Sequence, residues 1–105
     1  MKVLFDQGTP VPPRKYLQSS EVATTAELGW SELENGDLLA EAERRGFDLM
    51  ITTDQNLRYQ QNLSERQIGV VVLMTTSWPR IQSKVEEVVS VVSSLPPGGY
   101  VQISF

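Results

Sequence analysis

Three aspartates, Asp6, Asp37 and Asp54, are the residues of this chain whose type and spacing suggest chemistry. Asp6 and Asp54 each follow a strand-like apolar run, and Asp37 lies in the first turn of a helix-like run. In an open α/β sheet, ligands bind outside the carboxyl ends of the strands, where the following helices begin. Carboxylates gathered there repel one another unless they hold a cation, and oxygen ligands suit Mg²⁺ or Mn²⁺. The pattern therefore predicts a metal site formed by the three aspartates.

Each aspartate also has an ordinary structural explanation. Asp6 could form an Asx-turn after its strand, Asp37 could complement the dipole of its helix, and Asp54 could cap a helix. Asp48 provides a contrast, because it stands at the start of a strand and should lie on the opposite edge as a surface residue. The coincidence of the other three on one edge favours the metal site.

The residue types that the chain lacks narrow the chemistry further. None of the 105 residues is His or Cys. This excludes His-based acid–base catalysis, Ser-His-Asp triads and His-ligated zinc. Metal-assisted phosphodiester hydrolysis needs neither residue type, since the cation polarises the phosphoryl group and activates a bound water. Asp6, Asp37 and Asp54 are therefore also the candidate catalytic residues.

Several neighbours of Asp54 could support such a site, but each has a second interpretation. Thr52 and Thr53 could position a carboxylate or a water, although both are also common strand residues. Asn56 could turn toward the site or stabilise a turn. Arg58 could contact a phosphate, and Tyr59 could stack on a base or fill a core or subunit contact. The sequence leaves these alternatives open.

The composition is that of a single folded domain spanning residues 1–105. Hydrophobic residues make up 40% of the chain and charged residues 21%, as in ordinary globular proteins. No run is apolar and long enough to span a membrane, and no signal peptide is recognised. The absence of Cys fits a cytoplasmic protein. The net charge of −4 argues against a broadly basic nucleic-acid surface, so binding of a phosphate chain would depend on local Arg, Lys and the metal.

The order of apolar runs and helix signals predicts alternating strands and helices, hence an α/β fold with a mostly parallel sheet. Strands are predicted at 2–6, 21–25, 47–53, 68–74 and 100–105, and helices at 10–17, 26–30, 36–45, 54–59 and 80–94. Asn35 is the predicted N-cap of the third helix and Gly46 its end. The last strand is expected at a sheet edge, where it and the Val-rich last helix could support a homodimer.

Several short motifs resemble one known family. The segments 3–7, 35–40, 46–57 and 59–63 (VLFDQ, NGDLLA, GFDLMITTDQNL and YQQNL) are similar, in order and spacing, to the PIN-like proteins of the domain-of-unknown-function group 5615, relatives of the PIN-domain ribonucleases. The likeness covers about residues 1–75. It implies a PIN-like three-layer α/β/α sandwich with an acidic metal site.

The resemblance also implies a function. PIN nucleases cut RNA with Mg²⁺ or Mn²⁺, and many are the toxins of toxin–antitoxin pairs, so RNA and an antitoxin protein are the implied partners. Asp6, Asp37 and Asp54 match the acids of the first strand, the central helix and the following strand. PIN nucleases usually carry a further helical acid between the first two. Here the candidates are Glu27, Glu32 and Glu34, for which the sequence predicts no convincing helical context.

Two other functions fit parts of the pattern. A PIN-like module that has lost catalysis could bind a protein or RNA partner. A phosphoacceptor receiver domain would also place Asp6 and Asp54 after strands, with Thr75 after the next one. A receiver needs a Lys at the end of its last strand to hold the phosphoryl group, and the segment 100–103 has none.

Overall fold

A computed structural model describes residues 1–105 and contains a single five-stranded sheet. The strands are β1 (Lys2–Phe5), β2 (Glu21–Thr24), β3 (Leu49–Thr52), β4 (Gly69–Leu73) and β5 (Tyr100–Ile103). Their order across the sheet is β2-β1-β3-β4-β5, and every pairing is parallel. The prediction of an α/β fold with a mostly parallel sheet is confirmed.

Helices cover both faces of the sheet, as parallel sheets require. A 3₁₀ helix spans Pro12–Tyr16, and the α-helices are α1 (Thr25–Leu28), α2 (Asn35–Arg44), α3 (Leu57–Gln60), α4 (Trp78–Gln82) and α5 (Val85–Ser94). The arrangement agrees with a three-layer α/β/α sandwich. No helix is long and apolar enough to cross a membrane.

The core is divided into two halves by the alternation of side chains along the central strands. Val3, Phe5 and Ile51 point to one face, where they pack with residues of α4 and α5. Leu4 and Met50 point to the other, where they pack with residues of α2 and α3. β1, β3 and β4 are buried almost throughout, which explains why their sequences are continuous apolar runs rather than alternating ones.

Two predicted helices differ in type or number from those observed, and the helix predicted at 54–59 begins only at Leu57. The segment 10–17 forms only the short 3₁₀ helix, because Pro12 and Pro13 have no N–H to donate and the N–H of Arg14 bonds to the Val11 carbonyl 2.9 Å away. The helix predicted at 80–94 is divided into α4 and α5. At the division, the Ser83 hydroxyl donates to the Arg80 carbonyl at 2.6 Å, which competes with the regular helical hydrogen bonds.

The connection after β2 is tighter than the sequence predicts. Thr24 and Glu27 form a capping box at the start of α1: the Glu27 N–H donates to the Thr24 hydroxyl at 3.1 Å, and the Thr24 N–H donates to the Glu27 carboxylate at 2.9 Å. Gly29 ends the helix with a φ of +74°, a left-handed conformation in which Gly has no Cβ penalty. β2 is consequently held beside β1 at the open edge of the sheet.

Candidate functional site

Asp6 lies directly beyond the carboxyl end of β1. Its N–H donates to the Ile51 carbonyl at 2.9 Å, so the parallel pairing of β1 with β3 extends one residue past the strand. One carboxylate oxygen accepts the Gln7 N–H at 2.8 Å, and the other accepts the Thr52 hydroxyl at 2.9 Å. The carboxylate is therefore held in one orientation at the edge between the two strands.

Asp54 lies two residues beyond β3, at the same edge. Its Oδ1 accepts the Asn56 N–H at 3.0 Å, and its Oδ2 accepts the Asn35 side-chain amide at 3.2 Å. The expectation that Asp54 is the N-cap was wrong, because α3 begins at Leu57 and has Asn56 as its N-cap. Asp54 forms an Asx-type turn instead, which shortens α3 and turns the carboxylate toward α2.

Thr52 connects the two aspartates. Its fully buried hydroxyl donates to Asp6, and its oxygen accepts the Asp54 N–H at 3.1 Å. The connection follows from strand register: Phe5 pairs with Ile51, so the next residues along the two strands are Asp6 and Thr52. Both sequence interpretations of Thr52 hold, because it is the last residue of β3 and its hydroxyl positions the Asp6 carboxylate.

Asn35 and Gln60 extend this network, and sequence reasoning did not assign either to the site. The Asn35 amide donates to Asp54 and also to the Gln60 side-chain carbonyl at 3.1 Å. The expectation that Asn35 is the N-cap of α2 was wrong, since α2 starts at Asn35 itself and Glu34 occupies the N-cap without a side-chain bond. The Asn35 side chain is used across the site rather than within its own helix. We call the connected residues Asp6, Thr52, Asp54, Asn35 and Gln60 the acid network.

Asp37 lies beside the acid network but is not joined to it. It is exposed in the first turn of α2 and lines the largest cleft on the molecule, about 460 Å³ in volume. The lining contains no apolar residue and consists of Glu34, Asn35, Gly36, Asp37, Gln60 and Gln61. Asn35 and Gln60 therefore belong both to this polar cleft and to the acid network.

The electrostatics of the site center on Asp6. Burial raises the pKa of the Asp6 carboxyl, and the negative charge of Asp54 raises it further, against the opposing hydrogen bonds from Thr52 and Gln7. The carboxyl thus resists ionisation because water is excluded and a like charge is near. A bound cation at this position would reverse the second of these effects.

No three acidic side chains in the structure are close enough together to hold a metal ion as a group. Asp6 and Asp54 interact through their charges, whereas Asp37 faces the neighbouring cleft. Asp6 and Asp54 provide two carboxylates, with hydroxyl and amide groups around them. Such hard oxygen ligands fit Mg²⁺ or Mn²⁺. The fit rests on two carboxylates, not three.

Comparisons of the chain with models of known protein families, with curated proteins and with solved structures find no match. The interpretation of the site consequently depends on its geometry.

The acids between the first strand and the central helix do not complete the pair. Glu27 lies in α1, the helical turn predicted at 26–30, and the Thr24 capping box that starts this helix gives Glu27 a defined helical context. Its carboxylate is already bonded to the Arg14 guanidinium at 2.9 Å. Glu32 is exposed, and Glu34 is exposed on the cleft beside Asp37. None of the three joins a metal-binding group.

The supporting residues named from the sequence separate into two groups. The Asn56 backbone bonds to Asp54, whereas the Thr53 hydroxyl lies beside Gly8, where an added Cβ would be 3.8 Å away. Arg58 points elsewhere, with its guanidinium carbon 4.8 Å from the centre of the Tyr59 ring. Asp48 lies on the opposite edge, where it accepts the Lys2 N–H at 2.8 Å, as predicted.

The end of β5 differs from the expectation in one respect. No Lys belongs to the strand, but the ammonium of Lys84, at the division between α4 and α5, donates to the Ser104 carbonyl at 3.3 Å. A cation is therefore present at the carboxyl end of β5, two strands away from β3. It is engaged with the backbone rather than with Asp54.

Proposed function

We propose that this chain is a PIN-like metal-dependent ribonuclease that hydrolyses RNA phosphodiester bonds. One observation supports it most: Asp6 and Asp54 meet at the carboxyl ends of the neighbouring strands β1 and β3, bridged by Thr52. The strand order reverses between β1 and β3, and ligands of open α/β sheets bind at such a switch point.

A Mg²⁺ or Mn²⁺ ion would be held by the Asp6 and Asp54 carboxylates. When bound, the ion would polarise the phosphoryl group of the RNA and activate a water for attack. The remaining roles belong to the chain itself. Thr52 fixes the orientation of Asp6, and Asn35 fixes that of Asp54. The raised pKa of Asp6 means that a proton competes with the ion for this carboxylate, which must be deprotonated to bind the metal.

Asp37 is assigned a separate role in this proposal. Its carboxylate lines the polar cleft that adjoins the pair. The first-turn position on α2 keeps it at the same edge of the sheet, where it would hold a water or a second ion on the side of the substrate. Its contribution is therefore expected to be smaller for metal affinity than for cleavage.

The decisive experiment is cleavage of an RNA panel with and without Mn²⁺, using wild-type protein and Asp6→Asn. We expect cleavage by the wild type only with Mn²⁺ and none by the variant. Asp48→Asn is the matched control, because it removes the same charge on the opposite edge of the sheet and should cut normally. Cleavage that persists in Asp6→Asn would refute the proposal.

A second candidate function is a PIN-like module without catalysis that binds a protein or RNA partner. The observation that favours it is the lack of three acidic side chains close enough to hold an ion together. Calorimetry with Mn²⁺ separates the two functions. The nuclease should bind Mn²⁺ through Asp6 and Asp54, whereas the module should give no heat of binding.

The proposal includes a biological setting. A toxin of this type would have RNA as its substrate and an antitoxin protein as its partner, and the absence of Cys fits the reducing cytoplasm. A homodimer would use the outer edge of β5, which pairs only with β4. Sedimentation of the purified protein alone would detect a homodimer. Sedimentation after co-expression with the protein of the adjacent gene would detect a complex with an antitoxin.

A further inference from the structure

An aromatic and cationic surface lies on α3 and β5, outside the acid network. The Arg58 guanidinium carbon is 4.8 Å from the centre of the Tyr59 ring and 5.9 Å from that of Tyr100. Arg58 also donates to the Tyr59 hydroxyl at 2.6 Å, and Gln102 donates to the Tyr100 hydroxyl at 3.0 Å. We call Arg58, Tyr59 and Tyr100 the tyrosine platform.

Tyr59 is the most exposed large aromatic side chain on the molecule, with 72% of its surface accessible. Its position is nevertheless defined, because the preceding Leu57 is fully buried and anchors α3 against the sheet. The ring is held by Arg58 at one side and is open to solvent elsewhere. An exposed ring of this kind offers a face for stacking without having to leave a packed core.

The charge of Arg58 has no acidic partner. Four of the six arginines form ion pairs with glutamates: Arg14 with Glu27, Arg44 and Arg45 with Glu41, and Arg66 with Glu43. Only Arg58 and Arg80 form none. Arg58 is placed instead on two rings, which orient its guanidinium plane and leave its positive charge available to an anion.

The tyrosine platform is next to the acid network in the chain. Gln60 follows Tyr59 and accepts the Asn35 amide that also holds Asp54. Gln60 and Gln61 both line the polar cleft with Asp37. The short helix α3 therefore carries both Gln60, which lines the cleft, and the Arg58 and Tyr59 of the platform, which lie outside its lining.

We propose that the tyrosine platform binds an unpaired nucleotide of single-stranded RNA, with the base stacked on Tyr59 and a phosphate bound by Arg58. The inference rests on the proposed function only in taking the bound strand to be the one that reaches Asp6 and Asp54. Base–aromatic stacking requires a base whose face is free, so duplex RNA is excluded from the platform.

The test is fluorescence anisotropy with a labelled single-stranded RNA in EDTA, where cleavage cannot occur. Tyr59→Ala should weaken binding by roughly tenfold, the change expected for the loss of one stacked base. Tyr59→Phe keeps the ring and should bind like the wild type. Arg58→Gln should weaken binding and reduce its salt dependence by about one phosphate contact. Arg80→Gln is the matched control and should change neither.

Two results would overturn the inference. One is Tyr59→Ala binding as tightly as Tyr59→Phe, and the other is wild-type protein binding a duplex of the same sequence as well as the single strand. The outcome is separable from that of the proposed function. Stacking-dependent binding in EDTA without cleavage in Mn²⁺ supports the platform and refutes the nuclease. Cleavage in Mn²⁺ together with binding that does not depend on Tyr59 supports the nuclease and refutes the platform.

Discussion

The Thr52 hydroxyl donates to the Asp6 carboxylate across 2.9 Å, and the two residues come from positions 46 apart in the chain. The same hydroxyl oxygen receives the Asp54 N–H. A single buried side chain thus determines the orientation of one acid and the turn that carries the other. Four predictions follow from this site and from one ion pair outside it.

Replacing Thr52 by Val should destabilise the protein by about 1–2 kcal/mol, because the half-buried Asp54 N–H would lose its acceptor and the half-buried Asp6 carboxylate would lose a donor. Val keeps the shape of the side chain, so packing changes little. Thr52→Ser retains the hydroxyl and should recover most of the stability. Urea denaturation at neutral pH measures the difference. Equal stability of Thr52→Val and the wild type would contradict the bridging role.

Replacing Asp6 by Asn should raise the unfolding midpoint in EDTA at neutral pH by a few degrees. The folded-state pKa of Asp6 is above its ordinary value of 3.8, so the folded protein favours the protonated form. The contribution of the Asp6 carboxyl to the free energy of unfolding is fully present below pH 3.8 and is lost as the pH rises through the folded pKa of Asp6. Asn cannot ionise, its oxygen can still accept the Gln7 N–H, and its amide N–H can donate to the Thr52 oxygen in a bond of reversed direction.

The pH dependence provides the control for this substitution. The advantage of Asp6→Asn over the wild type should shrink as the pH falls through the folded pKa of Asp6 and level off below pH 3.8, where the Asp6 carboxyl becomes protonated in both states. Thermal melts across pH 3.5–8 measure it. An advantage that grows on acidification would show that burial does not disfavour the Asp6 carboxylate.

Mn²⁺ should stabilise the wild type by about 2.7 kcal/mol at a concentration one hundred times its Kd. Asp6→Asn and Asp54→Asn should abolish this gain, since each removes one member of the acidic pair. Asp37→Asn should retain most of it, because Asp37 lies on the adjoining cleft. The gain should weaken at lower pH, where protons compete for Asp6. Thermal shift with Mn²⁺ measures all four proteins.

Loss of the gain in Asp37→Asn would mean that Asp37 moves into the pair when the ion binds. Asp48→Asn is again the matched control for a lost carboxylate, because it lies at the opposite edge.

Glu43→Gln should cost about 1.5 kcal/mol at pH 7. Burial acts to raise the pKa of Glu43, but the Arg66 guanidinium at 2.8 Å and the N–H groups of Gln67 and Ile68 outweigh it and hold the pKa below 4.5. This stabilisation is present above pH 4.5 and is lost as the pH falls through the folded pKa. The two proteins should therefore converge in acid. Glu65→Gln, an exposed change in the neighbouring loop, should match the wild type in urea melts.

The strands and the acidic edge could be predicted from the sequence because both depend on local patterns. Continuous apolar runs specify buried parallel strands, and an acid placed after each strand must lie at the carboxyl edge. This reasoning predicted that Asp6 and Asp54 share an edge and that Asp48 does not. It also placed Asp37 at the start of a helix on that edge.

The acid network itself could not be predicted. Asn35 and Gln60 have ordinary local functions in helix caps and loops, and only the packing of α2 beside α3 shows that both turn toward Asp54. The division at Ser83 and the capping box that starts α1 at Thr25 were missed for the same reason. Each depends on a side-chain hydrogen bond that competes with or completes backbone structure, and composition does not determine which occurs.

The position of β1 in the middle of the sheet has a consequence during synthesis. β1 leaves the ribosome before β2 and β3, but it lies between them in the sheet and cannot be enclosed until residue 52 has emerged. The apolar side chains of β1 therefore remain exposed to solvent while the next two strands are translated. A chain that has not yet formed β3 cannot place Thr52 and Asp54 beside Asp6. The acidic pair therefore forms only after β3 has joined the sheet next to β1.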